Sequence, residues 1–152
     1  MTETAATRFG LGEIDQVAYV VSDLEKALPR FEALFGPFER MDSTTPGTTF
    51  RGNPSDVTLK LAFGRSGPLE IELIQPVSGA GPHQEFLDAG RAGVHHVRFR
   101  VEGLDARLPA LNEAGYETIW YHRYTPEIVW AYLEVPAAEG GGLFELLEMP
   151  AD

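Results

Sequence analysis

Apolar and polar positions along the first part of the chain predict a strand followed by a helix. The run from Ile14 to Val21 is rich in β-branched and aromatic residues, which is typical of a strand. Ser22 follows it with Glu25 three residues later, a capping box that predicts the start of a helix. Helical spacing then continues in an apolar stripe that ends before Gly36 and consists of Leu24, Leu28, Phe31 and Phe35.

The same pattern returns 80 positions later. Residues 13–36 align with 94–115, so the run Ala27-Leu28-Pro29 matches Arg107-Leu108-Pro109. The ends of the two units also match, with Glu72 and Glu145 in register between apolar neighbours. A chain that carries one unit twice is built from two related modules, and equivalent positions in them are the first place to look for chemistry.

Further strands complete each unit. A Thr, Gly and Pro-rich loop is predicted at 43–54, with a short strand at 48–51 as an option inside it. The other predicted elements are strands at 57–63 and 68–74 joined by a hairpin turn at 64–67, and in the second unit a strand at 94–101, a helix at 105–114 and strands near 116–121, 128–135 and 143–147.

These elements predict one α+β domain over residues 11–152. We expect a disordered tail at 1–10, a first module at 11–76, a Gly and Pro-rich linker at 77–92 and a second module at 93–149. With 152 residues and 43% apolar content, the chain suits a single core shared by two half-size modules.

Composition excludes several classes of function. No apolar run is long enough to span a membrane, and residues 1–8 lack a signal-peptide pattern, so we expect a cytoplasmic protein without a membrane partner. A net charge of −11 disfavours nucleic acid as a partner. The sequence contains no cysteine, so any metal must be held by nitrogen and oxygen ligands.

Four polar residues occupy equivalent points of the two modules: Gln16, Glu72, His96 and Glu145. Side chains alternate along a strand, so His96 faces away from the helix and the adjacent His95 is expected to point to the opposite side. Two carboxylates, one imidazole and one amide oxygen predict a site for one divalent ion, Zn, Ni, Co, Mn or Mg, and no organic cofactor is expected. Singly, each of these residues would more often be structural.

Four other residues are candidates for contact with a substrate. Trp130 and Tyr132 are expected on the cavity side of their strand, and His122 lies where a loop could close over a ligand. Arg98, two residues after His96, could pair with a carboxylate or phosphate of the ligand. Ordinary packing for the aromatic residues and a structural salt bridge for Arg98 remain open alternatives.

These motifs together resemble the vicinal oxygen chelate superfamily, which includes glyoxalase I, methylmalonyl-CoA epimerase, extradiol dioxygenases and bleomycin resistance proteins. The resemblance covers 13–148 and lies in Asp15-Gln16-Val17-Ala18-Tyr19, Glu72-Leu73-Ile74-Gln75-Pro76, Gly93-Val94-His95-His96-Val97 and Gly141-Gly142-Leu143-Phe144-Glu145. It implies two tandem βαβββ modules that form a U-shaped mixed sheet around a central cavity, with a divalent metal at the four positions named above. It also implies a homodimer.

The resemblance further implies an isomerase, epimerase or glyoxalase-like lyase that works through an enolate stabilised by the metal on a small organic substrate, either an acyl-CoA or an aromatic compound. Glu145, and secondly Glu72, are then the candidate proton shuttles. An iron dioxygenase is disfavoured because that class has His where this chain has Gln16. The glutamate base of methylmalonyl-CoA epimerase has no counterpart, since only Asp56 is acidic in 43–68. A metal-free, antibiotic-sequestering binding protein of the same fold is the alternative.

Overall fold

The computed structural model describes residues 8–151. Most of the predicted tail at 1–10 lies outside these residues. Within its described part, the ring of Phe9 packs edge-on against Tyr116 at 5.9 Å between ring centroids. The backbone carbonyl of Phe9 accepts a hydrogen bond of 2.8 Å from Arg107, so this end of the tail is attached to the second module.

The order strand, helix, three strands occurs twice, before and after a short helix. The first set is β1 (Ile14–Val20), α1 (Leu24–Phe35), β2 (Glu39–Phe50), β3 (Asn53–Ser66) and β4 (Leu69–Ser78). Helix α2 (Pro82–Asp88) falls within the predicted linker, and the second set is β5 (Gly93–Arg100), α3 (Leu104–Glu113), β6 (Glu117–Arg123), β7 (Val129–Glu134) and β8 (Leu143–Glu148). The predicted α+β fold of two βαβββ modules is confirmed.

All eight strands form one mixed sheet that closes in the order β1-β4-β3-β2-β6-β7-β8-β5. Strand β1 pairs in parallel with β4 and β5 pairs in parallel with β8, so both modules share one topology. The two modules meet through β1 and β5, which are antiparallel. The open side of the expected U is bridged by only two residue pairs between β2 and β6, Thr49 with Tyr121 and Phe50 with Trp120.

The prediction of a loop at 43–54 is wrong for most of this segment, which belongs to a strand. Strand β2 runs without interruption from Glu39 to Phe50 and pairs with β3 along that length, with an irregularity between Thr45 and Thr48. Thr, Gly and Pro favour turns locally, but a long hairpin partner supplies hydrogen bonds that override this preference. The helix cap also differs by one residue, because the side chain of Asp23, and not Ser22, accepts from Lys26 N.

The helices cover the outer face of the sheet and leave its inner face to a cavity. Helix α1 packs through Leu24 on Ala62 and Leu73, while α3 packs through Leu104 and Leu111 on the back of β7 and β8. Alternation along each strand therefore sends one set of side chains under a helix and the other set inward. Within the described residues, no helix has the length and apolar character needed to cross a membrane.

Candidate functional site

Polar side chains that are distant in sequence form a continuous row across five neighbouring strands. Register pairs place Glu70 of β4 beside Gln16 of β1, Gln16 beside Arg98 of β5, Arg98 beside Glu145 of β8, and Glu145 beside Tyr132 of β7. In the next row, Ala18 of β1 separates Glu72 from His96. The four predicted ligand residues therefore lie on adjacent rows of one sheet.

Part of these rows forms one side of a cavity of about 520 Å³ inside the barrel. Gln16, Glu72, Arg98 and Glu145 line it, together with aliphatic residues of β3 and β4 and aromatic residues of β6 and β7. A volume of this size suits a small organic ligand, and such sites combine an apolar wall with a few converging polar groups. The barrel interior is the candidate active site.

Gln16 holds an amide oxygen at the floor of this cavity without a hydrogen-bond partner. Its Nε2 donates to Glu70 Oε1 at 2.7 Å, which fixes the amide orientation. Its Oε1 is buried and accepts no hydrogen bond. A buried carbonyl oxygen without a partner costs free energy unless a ligand satisfies it, so this atom is suited to a bound cation or donor.

A β-bulge brings both adjacent histidines to the same side of β5. Ala18 pairs with His96 and Tyr19 pairs with Val94, so one residue of β1 spans two of β5 and His95 is the extra residue. The Nδ1 atoms of His95 and His96 lie 2.8 Å apart. The expectation that the two rings point to opposite faces is therefore wrong, because strict alternation fails at a bulge.

The hydrogen bonds of His95 determine which nitrogen of His96 faces Glu145; Glu145 lines the cavity, whereas His96 is not among the described residues that line it. Burial, together with the neighbouring His96, lowers the pKa of His95 to about 3, so its ring is neutral. His95 Nε2 donates to the backbone oxygen of Pro82 at 3.1 Å, which leaves His95 Nδ1 to accept from His96 Nδ1. His96 Nε2 then lies 3.1 Å from Glu145 Oε1.

The remaining ionisable groups of the cavity show the effect of burial. Burial, and next the charge of Glu145, raises the pKa of Glu72 well above its ordinary value. The pKa of Tyr132 is likewise raised well above its ordinary value, first by burial and then by Glu145 and Glu72. Without a cation, these clustered carboxylates repel each other, so the site favours positive charge.

Arg98 lines the cavity, but its guanidinium is already paired. It donates to both carboxylate oxygens of Asp15 at 2.8 and 3.1 Å and lies 3.6 Å from Glu70 Oε1. A second bulge, between Ile14 and Gln16 on β1, makes Asp15 an extra residue in this strand pair. The salt-bridge alternative considered for Arg98 is thus present, and a role in substrate binding stays a prediction.

The other predicted substrate-binding residues differ in position. Trp130 and Tyr132 both line the cavity. His122 is not among the described residues that line it, and instead packs against Trp130 and Tyr124 at 5.2 and 6.3 Å between ring centroids. A ligand-binding role stays a prediction for all three, and for His122 it requires action through Trp130.

Two residues of the site were missed by the sequence reasoning. Asp42 lines the cavity from β2, directly before the predicted loop at 43–54. His83, in α2, donates to or accepts from the hydroxyl of Tyr132 at 3.0 Å, and burial lowers the pKa of His83 well below its ordinary value. A Pro followed by His at the start of a short helix carries no recognisable signal, so His83 could be found only from the structure.

The donor set fits a divalent cation in chemistry, although it is not assembled in advance. Among residues 8–151, no three His, Cys, Asp or Glu side chains are grouped so as to hold a metal. Two donors, His96 Nε2 and Glu145 Oε1, already meet, Gln16 contributes an unpartnered oxygen, and Glu72 lines the same cavity. One nitrogen and three oxygen donors suit zinc, nickel, cobalt, manganese or magnesium.

Comparison with known proteins agrees with this architecture. A family model described as the glyoxalase/bleomycin resistance protein/dioxygenase superfamily matches residues 15–130. Over 106 residues the chain is 28% identical to ethylmalonyl-CoA/methylmalonyl-CoA epimerase of Cereibacter sphaeroides, covering 69% of this chain and 72% of that protein. A 61-residue stretch is 31% identical to the uncharacterized protein YqjC of Bacillus subtilis and covers 40% of this chain and 44% of YqjC, less than half its length.

Solved structures share the fold at low identity. A hypothetical protein from Bacillus halodurans C-125 has a TM-score of 0.65 and 22% identity, covering 92% of this chain and 96% of that one. Methylmalonyl-CoA epimerase of Streptomyces coelicolor, in complex with 2-nitronate-propionyl-CoA, has a TM-score of 0.62 and 21% identity, covering 91% and 95%. Both similarities concern the fold.

Proposed function

The chain belongs to the glyoxalase/bleomycin resistance protein/dioxygenase superfamily, and we propose that it is a divalent-metal-dependent isomerase or epimerase that moves a proton at a carbon next to a carbonyl group. The similarity to an epimerase at 28% identity supports this reaction class. A glyoxalase-like lyase would begin with the same proton removal. The proposed ligands are Gln16, Glu72, His96 and Glu145. When bound, the cation supplies a Lewis acid for negative charge on the carbonyl oxygen.

The observations that carry this proposal are the unpartnered Gln16 Oε1 and the contact between His96 and Glu145, which lie on neighbouring strands of one sheet. Gln16 is 1% exposed and His96 is 2% exposed, so both lie in a site where water is largely excluded. In such an environment, charges and dipoles act more strongly on a ligand than they do in water. His95 holds His96 in the tautomer that leaves Nε2 facing Glu145.

Two carboxylates on different strands suit proton transfer at two faces of a substrate. Glu72 is on β4 and Glu145 is on β8, and β1 and β5 lie between these strands. Both side chains line the cavity, and they reach it from strands on either side of β1 and β5. Removal of a proton by one group and its return from the other inverts a carbon centre. Glu145 is our first candidate for the base, and Glu72 is the second.

Metal content and proton exchange test the proposal together. Protein purified without a chelating tag is expected to carry about one equivalent of divalent metal by mass spectrometry, and His96→Ala and Glu145→Gln are expected to lose it. The exposed loop residue Glu127 offers a matched control, Glu127→Gln, which should retain it. Loaded protein should exchange the α-proton of a carbonyl substrate in D₂O, tested with a panel that contains both methylmalonyl-CoA and uncharged cyclic ketones.

Protein that takes up no metal on reconstitution and exchanges no α-proton would overturn the proposal. Oxygen consumption with catechols would instead favour an iron dioxygenase. A second candidate function, ligand sequestration without catalysis, is favoured by the aromatic wall of the cavity, where the indole nitrogens of Trp120 and Trp130 lack partners. It predicts that aromatic ligands bind with equal affinity before and after removal of metal.

A further inference from the structure

The cavity is poor in the charges that a nucleotide-bearing substrate needs. Of the described residues that line it, Arg98 is the only Lys or Arg; its Nε and Nη2 already donate to Asp15, and its Nη1 lies 3.6 Å from Glu70 Oε1. Asp42, Glu72 and Glu145 line the same space. Phosphate groups bind where Arg, Lys or backbone N–H donors are free, and like charges repel them. The interior therefore disfavours a polyanion.

The rim of the cavity does not supply these charges either. Met41 and Tyr124 stand at the rim and are 52% and 59% exposed. Arg40 precedes Met41 and Arg123 precedes Tyr124 in sequence. Both arginines already form salt bridges, Arg40 with Glu25 and Arg123 with Asp105 of α3. An exposed Met and an exposed Tyr instead offer apolar contact to a ligand that enters.

The interior has the shape of a slot between an aromatic wall and an aliphatic wall. Trp120, Trp130 and Tyr132 form the first wall, and the ring of Tyr124 stacks on Trp130 at 6.1 Å with an angle of 30° between the planes. Leu59, Leu61 and Ile74 form the second wall on β3 and β4. Strand β7 lies four strands from β4 in either direction round the barrel, so the walls face each other.

Three polar atoms among the lining residues lack partners in the protein. The indole nitrogens of Trp120 and Trp130 are buried donors without an acceptor, and Gln16 Oε1 is a buried acceptor without a donor. Trp120 is 4% exposed, so its indole is shielded from bulk solvent. Buried donors without a partner are rare in folded proteins and call for an explanation. An acceptor oxygen on a ligand would provide it.

We propose that the substrate is an uncharged, flat ring compound that carries acceptor oxygens, and that coenzyme A esters are not its substrates. This inference rests on the proposed function, because it names the substrate class of the same site. The ring lies between the aromatic and aliphatic walls, and one of its oxygens accepts from an indole N–H. The carbon that loses its proton is next to a ring carbonyl, on the side of the cavity lined by Gln16, Glu72 and Glu145.

Calorimetric titration of metal-loaded protein with three compounds tests the proposal. The first is α-tetralone, an uncharged bicyclic ketone with an acidic α-C–H. The second is propionyl-CoA, and the third is S-propionyl-N-acetylcysteamine, which has the same thioester without the nucleotide phosphates. We expect α-tetralone to bind at least about tenfold more tightly than propionyl-CoA, and the truncated thioester to bind no more weakly than propionyl-CoA. Propionyl-CoA binding about tenfold more tightly than the truncated thioester would overturn the inference.

A conservative variant isolates the indole donor. Trp130→Phe keeps an aromatic ring and removes the N–H, and we expect it to weaken α-tetralone binding by about tenfold. Tyr116→Phe is the matched control, because Tyr116 packs on Phe9 outside the cavity. Equal α-tetralone affinity in the native protein and Trp130→Phe would overturn the role of this donor. Thermal melting of both variants verifies that they fold. The comparison of the three compounds is made on the native protein and therefore does not depend on the folding of a variant.

Failure of the inference can be told apart from failure of the proposed function. Proton exchange at the α-carbon, followed by NMR in D₂O with the same compounds, reports the function independently of affinity. Tight α-tetralone binding without exchange of any compound would leave the ligand class in place and overturn the enzymatic proposal. Exchange of the α-proton of propionyl-CoA, together with tight binding of that compound, would support the enzymatic proposal and overturn the inferred ligand class.

Discussion

The Nδ1 atoms of His95 and His96 lie 2.8 Å apart, although the two residues are neighbours on one strand. This contact exists because His95 is the bulged residue of β5, so both rings turn to the same side. His95 also donates to Pro82 O, which makes it an acceptor towards His96. A structural irregularity of one residue thereby sets the orientation of a proposed metal ligand.

Replacement of His95 by Phe should weaken metal binding without removal of any proposed ligand. The variant keeps an aromatic ring against Phe86 but loses the acceptor that holds the His96 tautomer, so divalent affinity should fall roughly 10–100-fold. Calorimetry with Co²⁺ measures the affinity, and ¹⁵N NMR of the histidines without metal reports the tautomer. His122→Phe is the control. Unchanged affinity with an unchanged His96 spectrum would show that His95 only packs.

The Glu148 carboxylate, at the end of β8, caps helix α3. Its removal should lower the free energy of unfolding at neutral pH. Its two oxygens accept from Gly103 N at 2.9 Å and Leu104 N at 3.0 Å. These bonds lower the pKa of Glu148 below its ordinary value. Because the folded pKa is depressed, the stabilisation is complete above the unfolded value near 4.5 and is lost as pH falls through the folded value.

Glu148→Gln should therefore lower the free energy of unfolding by about 1 kcal/mol at pH 7, with the difference from the native protein shrinking below about pH 4. Urea titrations at several pH values measure this. Glu127→Gln, in an exposed loop, should show no such pH-dependent difference. A deficit that persists at low pH would mean that the carboxylate charge is not the stabilising element.

Gly79 should tolerate no side chain, because the chain turns there directly over β3. A Cβ at this position would lie 1.9 Å from Asp56 O, and the residue has a φ of 89°. Gly47 has a similar φ of 75° with open space around it, so Gly47→Ala isolates the backbone strain at about 1–2 kcal/mol. Gly79→Ala should cost about 3 kcal/mol or more in urea denaturation. Equal losses in the two variants would show that the backbone shifts freely.

His83 and Tyr132 should be energetically coupled. Both are buried, at 1% and 4% exposed, and their polar atoms lie 3.0 Å apart. A double-mutant cycle with His83→Phe and Tyr132→Phe should give a coupling free energy of about 1 kcal/mol, since either single change leaves a buried polar atom without its partner. The cycle of His83→Phe with Tyr116→Phe should be additive. Additivity in the first cycle would mean that water satisfies both groups.

The sequence by itself determined the repeat, helices α1 and α3, the strands other than β2, and the four proposed ligand positions, because alternation and helical spacing are local properties of the chain. Gln16, Glu72, His96 and Glu145 could be selected since their positions correspond in the two modules. The structure places all four on neighbouring strands. Their roles as ligands stay a proposal.

Tertiary structure decided what depends on partners distant in sequence. The full length of β2 required β3 as a hairpin partner, and the common side of His95 and His96 required a bulge that no local preference encodes. The pairing of Arg98 with Asp15 and of His83 with Tyr132 joins residues 83 and 49 positions apart. Such contacts follow from strand register and packing, which a single sequence does not specify.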